Sequence, residues 1–211
     1  MIRTRPVARI GPHAIIQVAD VLRERLCPSF AEAVLRDATC DSLERLPQEM
    51  IDERDVRAVV QALVQRLGAP AATSVLREAG RRTAAYILVN HIPRATQLFM
   101  RVAPRRLSLA LMLQAMKANA WTFEGGGHLQ VAQVGGASFL VVSECAMCRG
   151  MHETQPMCAY YAGTVEYLLS RLVVPEARVE EVECMAQGAP ACRFALLNLP
   201  VQVPSALRQR I

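Results

Sequence analysis

The hydrophobic periodicity of the chain changes once, near residue 120, and that change narrows the folds open to it. Before it, apolar residues recur at helical spacing, first Ile15, Val18, Ala19, Leu22 and Leu26. A cleaner series follows in Val56, Val59, Val60, Leu63, Val64 and Leu67, with Arg57, Gln61 and Gln65 elsewhere on the wheel. Gly68 and Pro70 stop that helix, another runs from about Ala72 to His91 before Pro93, and a fourth from about Arg105 to Asn119. The last is apolar nearly all round, which predicts a central, buried helix.

After Trp121 the texture is that of strands. LQVAQV and SFLVV are joined by Gly135-Gly136, a hairpin signal. A helix returns with Tyr161, Val165, Leu168, Leu169 and Leu172 on one stripe and closes at Pro175. Two final strands, about 178–185 and 191–197, hinge on Gln187-Gly188-Ala189-Pro190. The predicted architecture is α+β, a helical layer packed on an antiparallel sheet. With 211 residues, 52% of them hydrophobic, one core suffices. The expected organisation is a helical part (1–119) and a sheet-and-helix core (120–200) in one integrated domain, followed by a tail (201–211).

The net charge of +5 lies in the first 119 residues, and all but one of the 24 basic residues are arginines. Such a bias argues for solvated helix faces or an anionic small molecule rather than a nucleic-acid surface. MIRTRPVARIGPHAIIQVAD lacks the apolar stretch and cleavage site of an export signal. LSLALMLQAM at 107–116 falls short of the roughly 20 residues that cross a bilayer. The expectation is a cytoplasmic protein, at most peripheral to a membrane. The triglycine Gly125-Gly126-Gly127 is followed by a strand, so it reads as a turn, not a phosphate cradle.

Seven cysteines in a reducing compartment point to metal ligation or burial rather than disulfides. Cys27 and Cys40 read as small buried hydrophobes. Cys184 and Cys192 are symmetric about Gly188, so a hairpin sets them opposite each other, close enough to share one metal ion. Glu181 can join them only if a bulge interrupts the strand, since residues three apart otherwise face opposite ways. Cys158, at the start of the Tyr161 helix, is available as a fourth ligand. Cys145-Ala-Met-Cys148 is open between metal ligation, redox chemistry and packing, and with Cys158 it offers three ligands to an iron–sulfur cluster. His13, His91, His128 and His152 read as surface or capping residues, although His128 and His152 flank the sheet region.

MCAYYAGTVEYLLSRL at 157–172, followed by VEEVECMAQGAPACRFAL at 179–196, resembles the 4-vinyl-reductase domain family over about 120–198. The resemblance implies an α+β fold like that of vesicle-tethering subunits and phenol-sensing regulators, often forming a homodimer through helices. It also implies structural zinc (Zn2+), carried onto Cys158, Glu181, Cys184 and Cys192 and leaving Cys145 and Cys148 without a role. The family's name implies reduction of the 8-vinyl (older 4-vinyl) group of a divinyl chlorophyll precursor. No dinucleotide motif or complete cluster equips that chemistry here, and four zinc ligands leave the metal closed and redox-silent.

The expectation is therefore a bacteriochlorophyll-biosynthesis protein that binds a magnesium porphyrin or chlorophyllide intermediate and presents it to pathway enzymes. The alternatives are an 8-vinyl reductase with an external donor and a sensory or scaffolding module. Candidates for an apolar slot are Phe99, Met100, Leu109, Met112, Met116 and Trp121. His91 or His128 is the candidate axial donor, and Arg94, Arg101, Arg105 and Arg106 are candidates for the ring carboxylates.

Overall fold

Helical spacing becomes helix where a cap or a proline fixes its start. The computed structural model describes residues 8–39, 46–134 and 136–199. Helix α1 (His13–Arg25) follows Pro12, and α2 (Pro28–Thr39) opens on Pro28. In α3 (Glu53–Leu67) the Asp52 carboxylate caps the first turn, accepting the Arg54 amide at 2.9 Å. Helices α4 (Ala69–Asn90), α5 (Arg94–Val102) and α6 (Arg105–Ala118) each begin at or beside a proline, Pro70, Pro93 and Pro104. Two residue pairs, β1 (Arg9–Ile10) and β2 (Ile51–Asp52), join antiparallel and tie the N-terminal segment to the start of α3. Helices α2 and α5 and these short strands go beyond what the sequence patterns predict.

The second half forms a four-stranded antiparallel sheet from β3 (His128–Val134), β4 (Ala137–Ser143), β5 (Arg178–Glu183) and β6 (Cys192–Leu197), in the order β3-β4-β6-β5. Helix α7 (Ala159–Leu172) crosses between the two hairpins. Leu129, Val131, Leu140, Val142, Val179, Phe194 and Leu196 turn inward, at period two on each strand. The predicted helical layer on an antiparallel sheet is the architecture found. Cys40, Gly135 and the tail 201–211 lie outside the described residues.

The centre of the helical layer is the crossing of α4 and α7, not α6. A Cβ on Gly80 would stand 2.0 Å from the Tyr160 carbonyl oxygen, and one on Gly163 would stand 2.2 Å from that of Arg77. Each helix thus lays its backbone against the other's glycine. Thr164 Oγ1 donates to the Gly80 carbonyl at 3.1 Å, and Tyr160 Oη donates to Thr83 Oγ1 at 2.9 Å. Buried Glu166 on α7 accepts from Arg77 of α4 at 2.7 Å and from the Val179 amide of β5 at 3.0 Å, so one carboxylate joins both helices to the sheet.

The expectation of a central α6 is corrected by its exposure. Leu109, Met112, Leu113 and Met116 are buried, whereas Leu107 and Leu111 are 44% and 39% exposed. The helix touches α5, α7 and β3 from one side only, so its second apolar face looks outward. No helix of the described residues is long and apolar enough to cross a membrane.

Candidate metal centre

Five cysteines from four separate segments meet in the core. The loop after β4 closes as a single helical turn, with the Arg149 amide bonding the Cys145 carbonyl at 3.0 Å, and the i, i+3 spacing brings Cys145 and Cys148 to one side. Glu144, with φ 52°, starts that turn. Cys158 stands at the N-terminus of α7, Cys184 just past β5, and Cys192 opens β6. All five are fully buried.

The bulge that Glu181 requires is present. Pairing of β5 with β6 shifts register between Glu181 and Glu183, so that Glu181 faces Phe194 while Glu183 faces Arg193. The shift brings Glu181 to the cysteine side, where its Oε2 accepts the Cys158 amide at 2.7 Å. Its other oxygen, Oε1, is buried without a hydrogen-bond partner. Burial, and then the neighbouring Cys184, push its carboxyl up to about 9.

The sulfurs lie close together. Cys145 and Cys158 are 3.4 Å apart, Cys148 and Cys192 3.4 Å, Cys158 and Cys192 3.5 Å, Cys148 and Cys184 3.8 Å, and Cys184 and Cys192 4.0 Å. Two donor quartets have all their ligand atoms within 4.8 Å of one another: Cys145, Cys148, Cys158 and Cys192, and Cys158, Glu181, Cys184 and Cys192. Backbone amides point at the sulfurs, Met157 N to Cys184 at 3.5 Å and Met185 N to Cys192 at 3.4 Å. Burial drives the Cys158 thiol well above the ordinary range, because an isolated thiolate there has no solvent. A soft cation reverses that balance, and a cluster of thiols with an orphaned carboxylate oxygen is chemically suited to hold one.

The cluster thus unites Cys158, Glu181, Cys184 and Cys192, and it also takes in Cys145 and Cys148, which the resemblance leaves aside. Their C-x-x-C spacing is the available signal. Cys27 is corrected: it is exposed in the turn ahead of Pro28, 3.2 Å from Ser29 Oγ, because the chain leaves the core there. The triglycine is a turn as expected, with an added function. The Gly126 amide donates to Glu53 Oε2 at 2.8 Å, and Glu53, 6% exposed, also pairs with Arg149 and Arg57. Arg149 bonds Glu144 at 3.0 Å as well, so the Cys145–Cys148 loop is tied to α3.

The pigment candidates are divided between core and surface. Met100, Leu109, Met112 and Met116 are buried in the core, while Phe99 and Trp121 are 50% and 63% exposed. Arg94, Arg101, Arg105 and Arg106 are exposed. His91 caps the end of α4 with its ring 5.5 Å from Tyr86, and His128 is exposed at the first residue of β3. Two surface concavities, about 240 and 440 Å³, are lined by Arg81 to Arg178 side chains around α7 and by His152, Glu153 and the 186–188 turn; neither includes a pigment candidate.

An α+β layer with a buried thiol centre at the mouth of its last hairpin defines a class of domain, and comparison with known proteins supplies the family. Residues 139–197 match the 4-vinyl-reductase domain. The chain is 36% identical over 191 residues to the Bacteriochlorophyll synthase 23 kDa chain of Cereibacter sphaeroides, covering 90% of each. It is 34% identical over 188 residues to that of Rhodobacter capsulatus, covering 89% of this chain and 86% of the relative. The chain belongs to the 4-vinyl-reductase domain family.

Among solved structures its fold is similar to H-NOX proteins. One from K. algicida has TM-score 0.58 and 9% identity, covering 89% of this chain and 95% of that one. One from S. oneidensis has TM-score 0.52 and 14% identity, covering 92% and 99%.

Proposed function

We propose that this protein serves bacteriochlorophyll biosynthesis by binding a magnesium porphyrin or chlorophyllide intermediate and presenting it to the enzymes of the pathway. The relatives named Bacteriochlorophyll synthase 23 kDa chain support the pathway. The observation that carries the binding role is the outward face of α5 and α6. Of eleven large apolar side chains exposed among the described residues, eight fall between Tyr86 and Trp121. Leu98 and Val102 share one face of α5, Leu107 and Leu111 one face of α6, and Phe99 stands beside the former pair. Exposed apolar surface of this kind marks a binding surface.

A flat apolar macrocycle suits such a face, and its carboxylates suit guanidinium groups. Arg94, Arg101, Arg105 and Arg106 are exposed on the same two helices. Met100, Met112 and Met116 pack behind it as a polarizable floor, and His91 or His128 is the candidate donor to magnesium.

In this reading the thiol cluster holds a structural zinc ion through Cys158, Glu181, Cys184 and Cys192. With four protein ligands the ion stiffens the last hairpin and takes no part in chemistry. The protein works as a homodimer or in complex with a pathway enzyme, and the apolar face is open to either.

Titrating the purified full-length protein with magnesium protoporphyrin is expected to shift the Soret band and quench the emission of Trp121, the one tryptophan. Absence of both changes would sink the proposal. Turnover of divinyl chlorophyllide by the protein with NADPH or reduced ferredoxin would replace the carrier with a reductase.

A further inference from the structure

Resting on the reading that the thiol cluster holds one metal ion, we propose that the ion is bound by four thiolates, with Cys148 as a ligand and Glu181 as a positioning residue outside the ligand set. Zn–S bonds of about 2.3 Å set the edges of a tetrahedron at about 3.8 Å. Around Cys148, Cys158, Cys184 and Cys192, four edges measure 3.4, 3.5, 3.8 and 4.0 Å. The remaining two, Cys148 to Cys158 and Cys158 to Cys184, are within 4.8 Å. The four sulfurs therefore already stand at the corners that one tetrahedral ion needs. Irons bridged by inorganic sulfide place their thiolates farther apart than the edges of a single tetrahedron, so the spacing argues against an iron–sulfur cluster at this position.

Cys145 caps the opposite side of the trio. It lies 3.4 Å from Cys158 and within 4.8 Å of Cys148 and Cys192. The tetrahedra that Cys145 and Cys184 each complete share one triangular face, and their centres are too close for two ions. One side must be chosen. The Cys184 side carries the amide donors from Met157 and Met185 to the sulfurs of Cys184 and Cys192, at 3.5 and 3.4 Å, the arrangement that stabilises bound thiolate.

Glu181 contributes differently. Its Oε2 is committed to the Cys158 amide at 2.7 Å, which holds the N-terminus of α7 and with it the Cys158 sulfur, and its carboxyl lies against Cys184. A residue that orients two ligands in this way acts on the metal through them.

The test is the sulfur count around the metal in the full-length protein, read by zinc-edge X-ray absorption and by the thiolate-to-metal charge-transfer bands of the cobalt-substituted form. The expected result is one metal per chain with four sulfurs. Glu181→Gln and Cys145→Ser should keep all four, and Cys148→Ser should lose one.

Three sulfurs and one oxygen in the wild type, with the oxygen lost in Glu181→Gln, would overturn the assignment and leave the structural metal standing. A protein that binds no zinc or cobalt at all would remove both. Because the wild-type count decides between the two ligand sets, the outcome stands even if Cys148→Ser does not fold.

Discussion

Cys184 and Cys192 owe their facing positions to a hairpin symmetric about Gly188, and Glu181 joins them only because one extra residue is accommodated between Glu181 and Glu183. At this scale the binding free energy of the metal is part of the folding free energy, since no site exists in the unfolded chain. Cys184→Ser and Cys192→Ser are expected to release metal and to lower the thermal midpoint, measured by elemental analysis beside a melting curve; full zinc in both variants would refute the assignment. Glu53 is the other decisive single residue. It holds the Gly126 amide, Arg149 and Arg57 at a position 6% exposed. Glu53→Ala removes the acceptor that two arginines and an amide share, and a loss of about 3 kcal/mol by urea denaturation is expected, the range for breaking a buried pair. A loss within about 0.5 kcal/mol, typical of surface changes, would show that Glu144 and solvent suffice for Arg149.

Between elements, the contact of α4 with α7 carries the helical layer, and it depends on two glycines in helix interiors. Each costs helix propensity relative to alanine and is kept because the partner's carbonyl occupies the space a Cβ needs. Gly80→Ala and Gly163→Ala should each destabilise the fold by about 1–3 kcal/mol, the cost of overpacking. The double variant should fall short of the sum, because the first methyl already pushes the helices apart. Additive losses in denaturant unfolding would mean that the two contacts relax separately. Helix α6 shows the converse: it is apolar on two sides and packed on one, so hydrophobicity around a helix predicts burial only when neighbours exist to cover it.

For the molecule as a whole, the face formed by α5 and α6 separates binding from folding. Phe99→Asp and Leu107→Asp replace side chains 50% and 44% exposed, so stability should change by less than about 0.5 kcal/mol. Affinity for magnesium protoporphyrin, followed by the Soret shift, should fall while the melting temperature holds. A porphyrin affinity untouched by both would move the site elsewhere. The helical half, both hairpins, the returning helix and the bulge at Glu181 were legible in the sequence, because periodicity and turn chemistry are local. The pairing of Cys158 with the Cys184–Cys192 hairpin was available through the resemblance. What only the tertiary structure decided is which distant pieces meet. Cys145 and Cys148 join the cluster because β4 delivers their loop beside β6. Gly80 meets Gly163 across a crossing that no spacing encodes, and the outer side of α6 is left bare because no described element covers it. Local sequence sets the shape and polarity of each segment, whereas a shared metal site or a helix crossing depends on contacts between residues far apart in the chain, which the packing of the whole domain selects.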